Sequence, residues 1–409
     1  MPATYTLPPA LAAKAIALDH ALVDLHFARE LWPIVLLILL LELHIPARMA
    51  AAATRMTPRR WLQVILFAAP FFLLLSLLEL PGAIAAHHIL LRFGLSIQHW
   101  ASWSLDVAKF IAIEEVLVST LFVLILFWCI RRAARTNAPR RWWLPCWAIF
   151  VLCIIFGVLV TPVVIDPLFN KFEPLAQTNP ALVTQLERVV ARSGVSIPPD
   201  RIFLMRASAK VTESNAYVTG FGASKRIVVW DTALKNTPPD EISFLFAHEM
   251  GHYVLRHVPL GVAFAAGLMF VCFWLGAHVV DWLLARFGPR WRIASLQDPA
   301  ALAVMLLVLS AAQVMTEPII NAFSRHIEHA ADVYGLQTMQ GLVPDPGATA
   351  ASSFQRLGES NLDTPERRPF VEFWLYNHPA IADRIAFAAT YNPWSAGVHP
   401  KYFAPNPSP

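Results

Sequence analysis

The sequence predicts a mainly α-helical, multi-pass membrane protein that also carries a water-soluble α+β portion with a small sheet. Three observations lead there. Of 409 residues, 56% are hydrophobic and 15% charged, and the mean hydropathy of +0.51 is far from that of soluble chains. Six stretches, at about 28–45, 62–84, 108–130, 143–165, 258–284 and 299–321, approach the ~20 apolar residues that a bilayer-crossing helix needs. Residues 166–257 and 322–409 instead mix turn residues, amphipathic periodicity and short β-branched runs, the texture of structure in water.

Taken in order, the first stretch is the weakest, because its purely apolar centre, 34–41, is closed by Glu42 and His44. The second is interrupted by Pro81 and Gly82 but stays apolar to Leu91, as a kinked helix would. After the fourth, residues 201–205 and 226–230 read as strands, 215–219 as a third, with Gly220 and Gly222 turning the chain. Residues 360–369 and the Pro-rich end from Pro400 read as loop and tail. The implied organisation is a membrane region (1–165), a first soluble half (166–257), a transmembrane hairpin (258–321), a second soluble half (322–390) and a tail (391–409).

The net charge of +4 is small for this length, and the basic residues sit in short loops between apolar runs, so nucleic acid is excluded as a partner. The lipid bilayer is the expected one. Cys129, Cys146, Cys153 and Cys272 lie inside apolar runs without CxxC spacing and read as small core residues. The first thirty residues lack a basic, apolar and small-residue cleavage pattern, so no cleaved signal peptide is expected.

Arginine gives an orientation. Arg48, Arg55, Arg59 and Arg60 follow the first span, Arg131, Arg132, Arg135, Arg140 and Arg141 the third, and Arg286, Arg290 and Arg292 the fifth. Alternate loops share one face, and an arginine-rich face is cytoplasmic by the positive-inside rule. The soluble halves then lie outside the cytoplasm.

The strongest chemical signal is His248-Glu249-Met250-Gly251-His252. Thr237 and Pro238 mark a helix start, Asp240 completes a capping-box spacing, and Ile242, Leu245, Phe246 and Val254 form a helical apolar stripe. Two imidazoles four residues apart project from one helix face and can share one Zn²⁺, while the glutamate between them faces the remaining ligand, water. Such a site cleaves carbonyl compounds by metal-activated water, with Glu249 as base. A third protein ligand is needed. Glu328 is the best placed, with Asp332 one turn away to orient a ligating imidazole; His326 and His329 are rivals. Alternatively the acidic pair is a solvated face or an ion pair with Arg325.

Beyond that motif the chain resembles the type 1 CAAX prenyl endopeptidases, zinc membrane proteases that also convert yeast a-factor and prelamin A. The resemblance covers roughly residues 90–390. It rests on Phe93-Gly-Leu-Ser96, Trp103 to Lys109, Asp166-Pro-Leu-Phe-Asn-Lys-Phe172, Asn215-Ala216-Tyr217 with Gly220, Asp231-Thr232 with Leu234, the His248–His252 motif, Ser324-Arg325 with Glu328 and Ala331-Asp332, and His378-Pro379 with Arg384. It implies a ring of about six to seven transmembrane helices around a chamber, which would house Glu79, Glu114 and Glu115 unless these lie near the interface and snorkel, and a zincin-like catalytic domain. It implies one zinc per chain on His248, His252 and Glu328 (gluzincin type), Glu249 as base and Asp332 behind the ligands. It further implies His378 and Arg384 supporting the oxyanion or the substrate backbone, and Asn215, Ala216 and Tyr217 as an edge strand for an extended peptide. Substrates would be peptides or proteins, prenylated or membrane-associated. The family usually has seven spans and a cytosolic catalytic side, whereas six spans and the arginine pattern place this domain outside the cytoplasm, in a bacterial inner membrane. A quality-control protease without prenyl specificity is the rival reading, and an inactive zinc scaffold or transporter a more distant one; the intact Glu249 speaks against the last.

Overall fold

The computed structural model describes all residues except 1–3, 137–138, 162–163, 165, 195–197, 211–215, 220–225, 395–398 and 404–409. Expectations at Asn215, Gly220 and Gly222 therefore fall outside the described residues. The membrane region comprises α1 (Pro9–Glu42), α2 (Ile45–Met56), α3 (Arg60–Phe93), α4 (Trp100–Phe110) and α5 (Ser119–Ala133), joined by a π-helical segment over Ile111–Val118, and α6 (Trp143–Val160). The soluble portion opens with α7 (Asp166–Phe169), β1 (Phe172–Pro174), α8 (Leu175–Thr178), α9 (Pro180–Arg192), β2 (Ile202–Met205), β3 (Ala216–Thr219) and β4 (Arg226–Trp230). It continues with α10 (Asp231–Asn236) and α11 (Pro239–Val254). Two long helices follow, α12 (His257–Trp291) and α13 (Ala301–Met339), and then α14 (Pro346–Asn361), α15 (Pro369–Leu375) and α16 (Ile381–Thr390).

Among the described residues five helical rods are long and apolar enough to cross a membrane, and six if α1 and α2, bent by 61° at their junction, count as one span. The first expected span, 28–45, is the second half of α1. Its first half carries Lys14, Asp19 and Asp24, and its second half still carries Arg29, Glu30 and Glu42, so α1 alone is too charged along its length to qualify. The second expected span does continue through Pro70 and Pro81 as one helix. The last expected span also runs on, because α13 extends without a break from the apolar bundle into the soluble portion. The ends of α1 and α12 meet in an ion pair, Arg290 to Glu42 at 2.6 Å. Within the apolar bundle a cavity of about 900 Å³ is lined by polar groups that include Arg29, Glu79, Glu115 and Gln313, so charge at that depth faces space and not lipid.

The sheet order is β1-β2-β4-β3, with β2 and β4 parallel and both outer pairs antiparallel. The period-2 alternation of strands sorts the side chains. Ile202, Leu204, Ile227 and Val229 enter the main core, whereas Met205 and Val228 pack on the other face with Ala207. The short β1 was not among the expected strands; pairing with β2 defines it, since three residues carry no periodicity. Helix α9 is capped by Asn179, whose side chain accepts from Leu182 N–H at 3.1 Å. It lays Leu182, Val183, Leu186, Val189 and Val190 on the core.

That core draws on both soluble halves: Phe244, Phe246 and Met250 of α11 pack with Tyr334, Leu336 and Met339 of α13, Phe354 of α14 and Ile385 of α16. Phe244 and Phe354 are fully buried, edge to face at 5.2 Å, and each such ring contributes about 1.5–3 kcal/mol. The expected capping box at Thr237 does not form. Pro238 occupies the cap position, and Asp240 instead accepts from Gln185 at 2.7 Å.

Candidate metal centre

Two glycines bring the site together. Where α11 crosses α13, a Cβ on Gly335 would lie 3.1 Å from the backbone N and 3.2 Å from the Cα of His248, and one on Gly251 would lie 3.1 Å from Tyr334 Cβ and 3.2 Å from Ala331 Cα. The backbones therefore touch, and the acidic face of α13 meets the imidazole face of α11.

At this crossing the Nε2 atoms of His248 and His252 are 3.1 Å apart. Glu328 Oε2 lies 3.2 Å from His248 Nε2, and Oε1 lies 3.5 Å from His252 Nε2. Among the described residues these three form the cluster whose ligand atoms all fall within 4.8 Å of one another. A tetrahedral ion with ligands at about 2.0–2.1 Å separates its donors by roughly 3.3 Å, so the spacing fits. The outer nitrogens fit too. His248 Nδ1 lies 2.8 Å from Asp332 Oδ1 and His252 Nδ1 lies 2.9 Å from His257 Nδ1. With the ring protons on those outer atoms, both Nε2 lone pairs and a carboxylate converge on one point, an arrangement that a cation relieves. The rivals fall elsewhere: His326 and His329 are exposed, and His329 packs on Phe387.

Asp332 is almost wholly buried and is held on its far side by Arg384, which donates from Nε at 2.9 Å and Nη2 at 2.6 Å. Burial works against the Arg384 charge, but the Asp332 carboxylate outweighs it and raises the guanidinium pKa above its ordinary value. The guanidinium also sits 4.1 Å over the Phe354 ring. Arg384 is thus committed to Asp332 and buried, with Glu249 near enough to act on its charge. Glu249 itself is half-buried on α11 between the two histidines.

His378 reaches the same carboxylate oxygen as His248, with Nε2 3.2 Å from Glu328 Oε2. Half of its side chain remains accessible to a cavity, yet the surrounding protein encloses it, and this burial pushes its imidazole pKa down. The loop that carries it is pinned to α13, since Asn321 donates to Trp374 O and Arg325 Nη1 to Glu372 O at 3.0 Å and to Tyr376 O. Arg325 therefore ties down this loop and does not pair with the acidic residues of its own helix. Ala216 and Tyr217 lie on β3, an edge strand whose inner side pairs with β4.

His257 is the residue that sequence reasoning missed. It stands at the start of a membrane helix, where composition suggested only a boundary; its signal was the five-residue spacing from His252, which folds it back across the helix junction.

A family model described as peptidase family M48 matches residues 176–392, and one described as CAAX prenyl protease N-terminal, five membrane helices, matches residues 6–171. Over that second stretch the structure has α1, α2, α3, the rod of α4 and α5, and α6. The chain is 34% identical over 337 residues to the uncharacterized metalloprotease YhfN of Bacillus subtilis (strain 168), covering 81% of this chain and 74% of that protein. It is 26% identical over 328 residues to CAAX prenyl protease 1 of Saccharomyces cerevisiae, covering 76% and 68%. The crystal structure of S. mikatae Ste24p shares the fold with a TM-score of 0.79 at 21% identity, over 94% of this chain and 90% of that one.

Proposed function

This chain belongs to peptidase family M48 and is a metal-dependent membrane protease, and from that premise we propose that its metal is zinc, held by His248, His252 and Glu328, with Glu249 as the base. The observation that carries the reading is the convergence of two imidazole nitrogens and one carboxylate at donor separations of 3.1–3.5 Å. His248, His252 and Glu328 would hold the zinc, which would supply Lewis-acid polarisation of a water and of the attacked carbonyl.

The chain's own residues supply the rest. Glu249 takes the proton from water and delivers it to the leaving amine. Asp332 fixes the ring of His248 through Nδ1, and Arg384 acts one step further back by fixing Asp332. His378, open to the cavity, donates to the substrate carbonyl or backbone. The free side of β3, with Asn215 just before it, offers backbone groups to an extended peptide, which a protease requires.

Glu249→Gln tests the mechanism: zinc should remain bound while hydrolysis falls by orders of magnitude, and full activity in that variant would sink it.

The substrates in this reading are peptides or proteins associated with the membrane. Family relatives are named CAAX prenyl proteases, and whether a prenyl chain matters to this protein is decided by comparing two peptides. Equal cleavage of a farnesylated peptide and its unmodified twin would favour a quality-control role. At the end of α12 far from His257, Arg290 pairs with Glu42, and Trp291 shares a core with Ala50 and Ala53 of α2 and Phe127 of α5, so the arginines at the ends of these helices support a bacterial inner-membrane protein with its catalytic side outside the cytoplasm. Cysteine labelling near Arg135 and Asn361 tests that orientation, and cytoplasmic labelling at both positions would refute it.

A further inference from the structure

Among the described residues of 166–257 and 322–409, two large hydrophobic side chains stand exposed, Phe370 at 64% and Phe373 at 53%. Both belong to the short helix α15. The other side of that helix faces inwards: Val371 is buried, and Glu372 and Leu375, with Tyr376 just beyond, line the cavity beside His378. By helical periodicity Phe370, Phe373 and Trp374 fall on the side turned away from that cavity. Phe370 stacks on Trp374 with ring centroids 5.8 Å apart, and both rings reach Phe27 of α1, at 6.0 and 6.4 Å.

Phe27 heads a stripe that recurs once per turn of α1, through Leu31, Val35 and Ile38, the last three exposed by 42–50%. None of these four lines the large cavity of the bundle, which is bordered on the other side of α1 by His26, Arg29, Pro33 and Leu37. The stripe therefore faces lipid. The apolar run of α1 begins just after Phe27 and that of α13 ends at Asn321, and Asn321 donates to Trp374 O. Two separate spans thus reach the edge of the apolar layer at α15.

We propose that α15 is an interfacial helix, with Phe370 and Phe373 set into the leaflet on the metal-centre side, at the level where headgroups meet acyl chains. Continuity with the lipid-facing stripe of α1 selects the bilayer as the occupant, since the layer that covers Leu31 ends within a turn of Phe27, which Phe370 touches. The same helix leads directly into the His378 loop, whose backbone α13 already holds through Asn321 and Arg325. The membrane surface is then a further support for that loop.

The test places the full-length protein in vesicles of phosphatidylcholine and phosphatidylglycerol that contain a phospholipid with a diazirine in its upper acyl chain, and maps the adducts by mass spectrometry after irradiation. Residues 369–377 should be labelled about as strongly as residues 31–39 of α1, and about tenfold above the exposed face of α9, which stands in water. Phe370→Ser combined with Phe373→Ser should bring the segment down to the level of α9, with unchanged labelling of α1 showing that the variant has inserted. Should that variant fail to insert, the wild-type result decides alone. Wild-type labelling of 369–377 no stronger than that of α9 overturns the proposal, as does a crosslink joining these segments of two copies, which would make a second chain the occupant. Labelling that survives the double substitution overturns it too, because the two rings would not be what holds the helix in lipid.

Discussion

Replacing Gly335 with alanine should weaken metal binding without touching a ligand. The new Cβ would lie 3.1 Å from the backbone N of His248, 3.2 Å from its Cα and 3.3 Å from Phe244 Cε2. Comfortable carbon contacts begin at about 3.5 Å, so α11 and α13 must part by about 0.3–0.5 Å. Two of the three contacts are backbone atoms, which cannot swing aside as a side chain does. Metal–ligand distances tolerate only about 0.2 Å, and His248 is on one helix while Glu328 is on the other. Zinc affinity should therefore drop by about ten- to a hundredfold, the range seen when groups that orient ligands are lost. Global stability should change less, because overpacking costs about 1–3 kcal/mol while removing a mid-helix glycine returns about 0.5–1 kcal/mol. Competition for zinc against a chromogenic chelator, with melting of the metal-free protein measured alongside, separates the two effects. Gly261→Ala, at a glycine with nothing within 4 Å, is the control. Wild-type zinc affinity in the Gly335 variant would refute the idea that this crossing sets the site.

Two further outcomes are expected. Asp332→Asn leaves the buried Arg384 without its carboxylate and should cost about 3–5 kcal/mol of stability, read as a large fall in melting temperature; an unchanged melt would mean that the pair is solvated. His257→Ala should lower zinc affinity about tenfold or more, since it withdraws the group that meets the outer nitrogen of His252, and titration with zinc checks it: wild-type affinity would make the His257 contact incidental.

How far the sequence discloses all this depends on whether the information is local. The His248–Glu249–His252 spacing lies within two helical turns, so the geometry of one helix suffices to read it. Glu328 and Asp332 were legible as a pair for the same reason, one turn apart on α13. The partnership of Asp332 with Arg384 was not, because it joins residues on different helices, and nothing at Arg384 distinguishes a group aimed at substrate from one aimed at a buried carboxylate. His257 escaped because the boundary between soluble and membrane structure was drawn through it. The spans were read from composition, and the one that came out differently was α1, whose polar first half faces other protein and a cavity. The helix α13 was cut at 321 because hydropathy ends there, whereas helical backbone does not.

The shared core has a consequence for the order of synthesis. The hydrophobic face of α9 and the histidine helix leave the ribosome well before Tyr334, Leu336 and Phe354, with which they share a core, and before Glu328. Contacts so distant along the chain form late in folding, and here two apolar spans must enter the bilayer before the second half can return to the first. A nascent chain that has not finished inserting therefore has neither a closed core nor Glu328, the proposed third ligand. The residues of the proposed metal centre are therefore brought together only after the hairpin of α12 and α13 is in place.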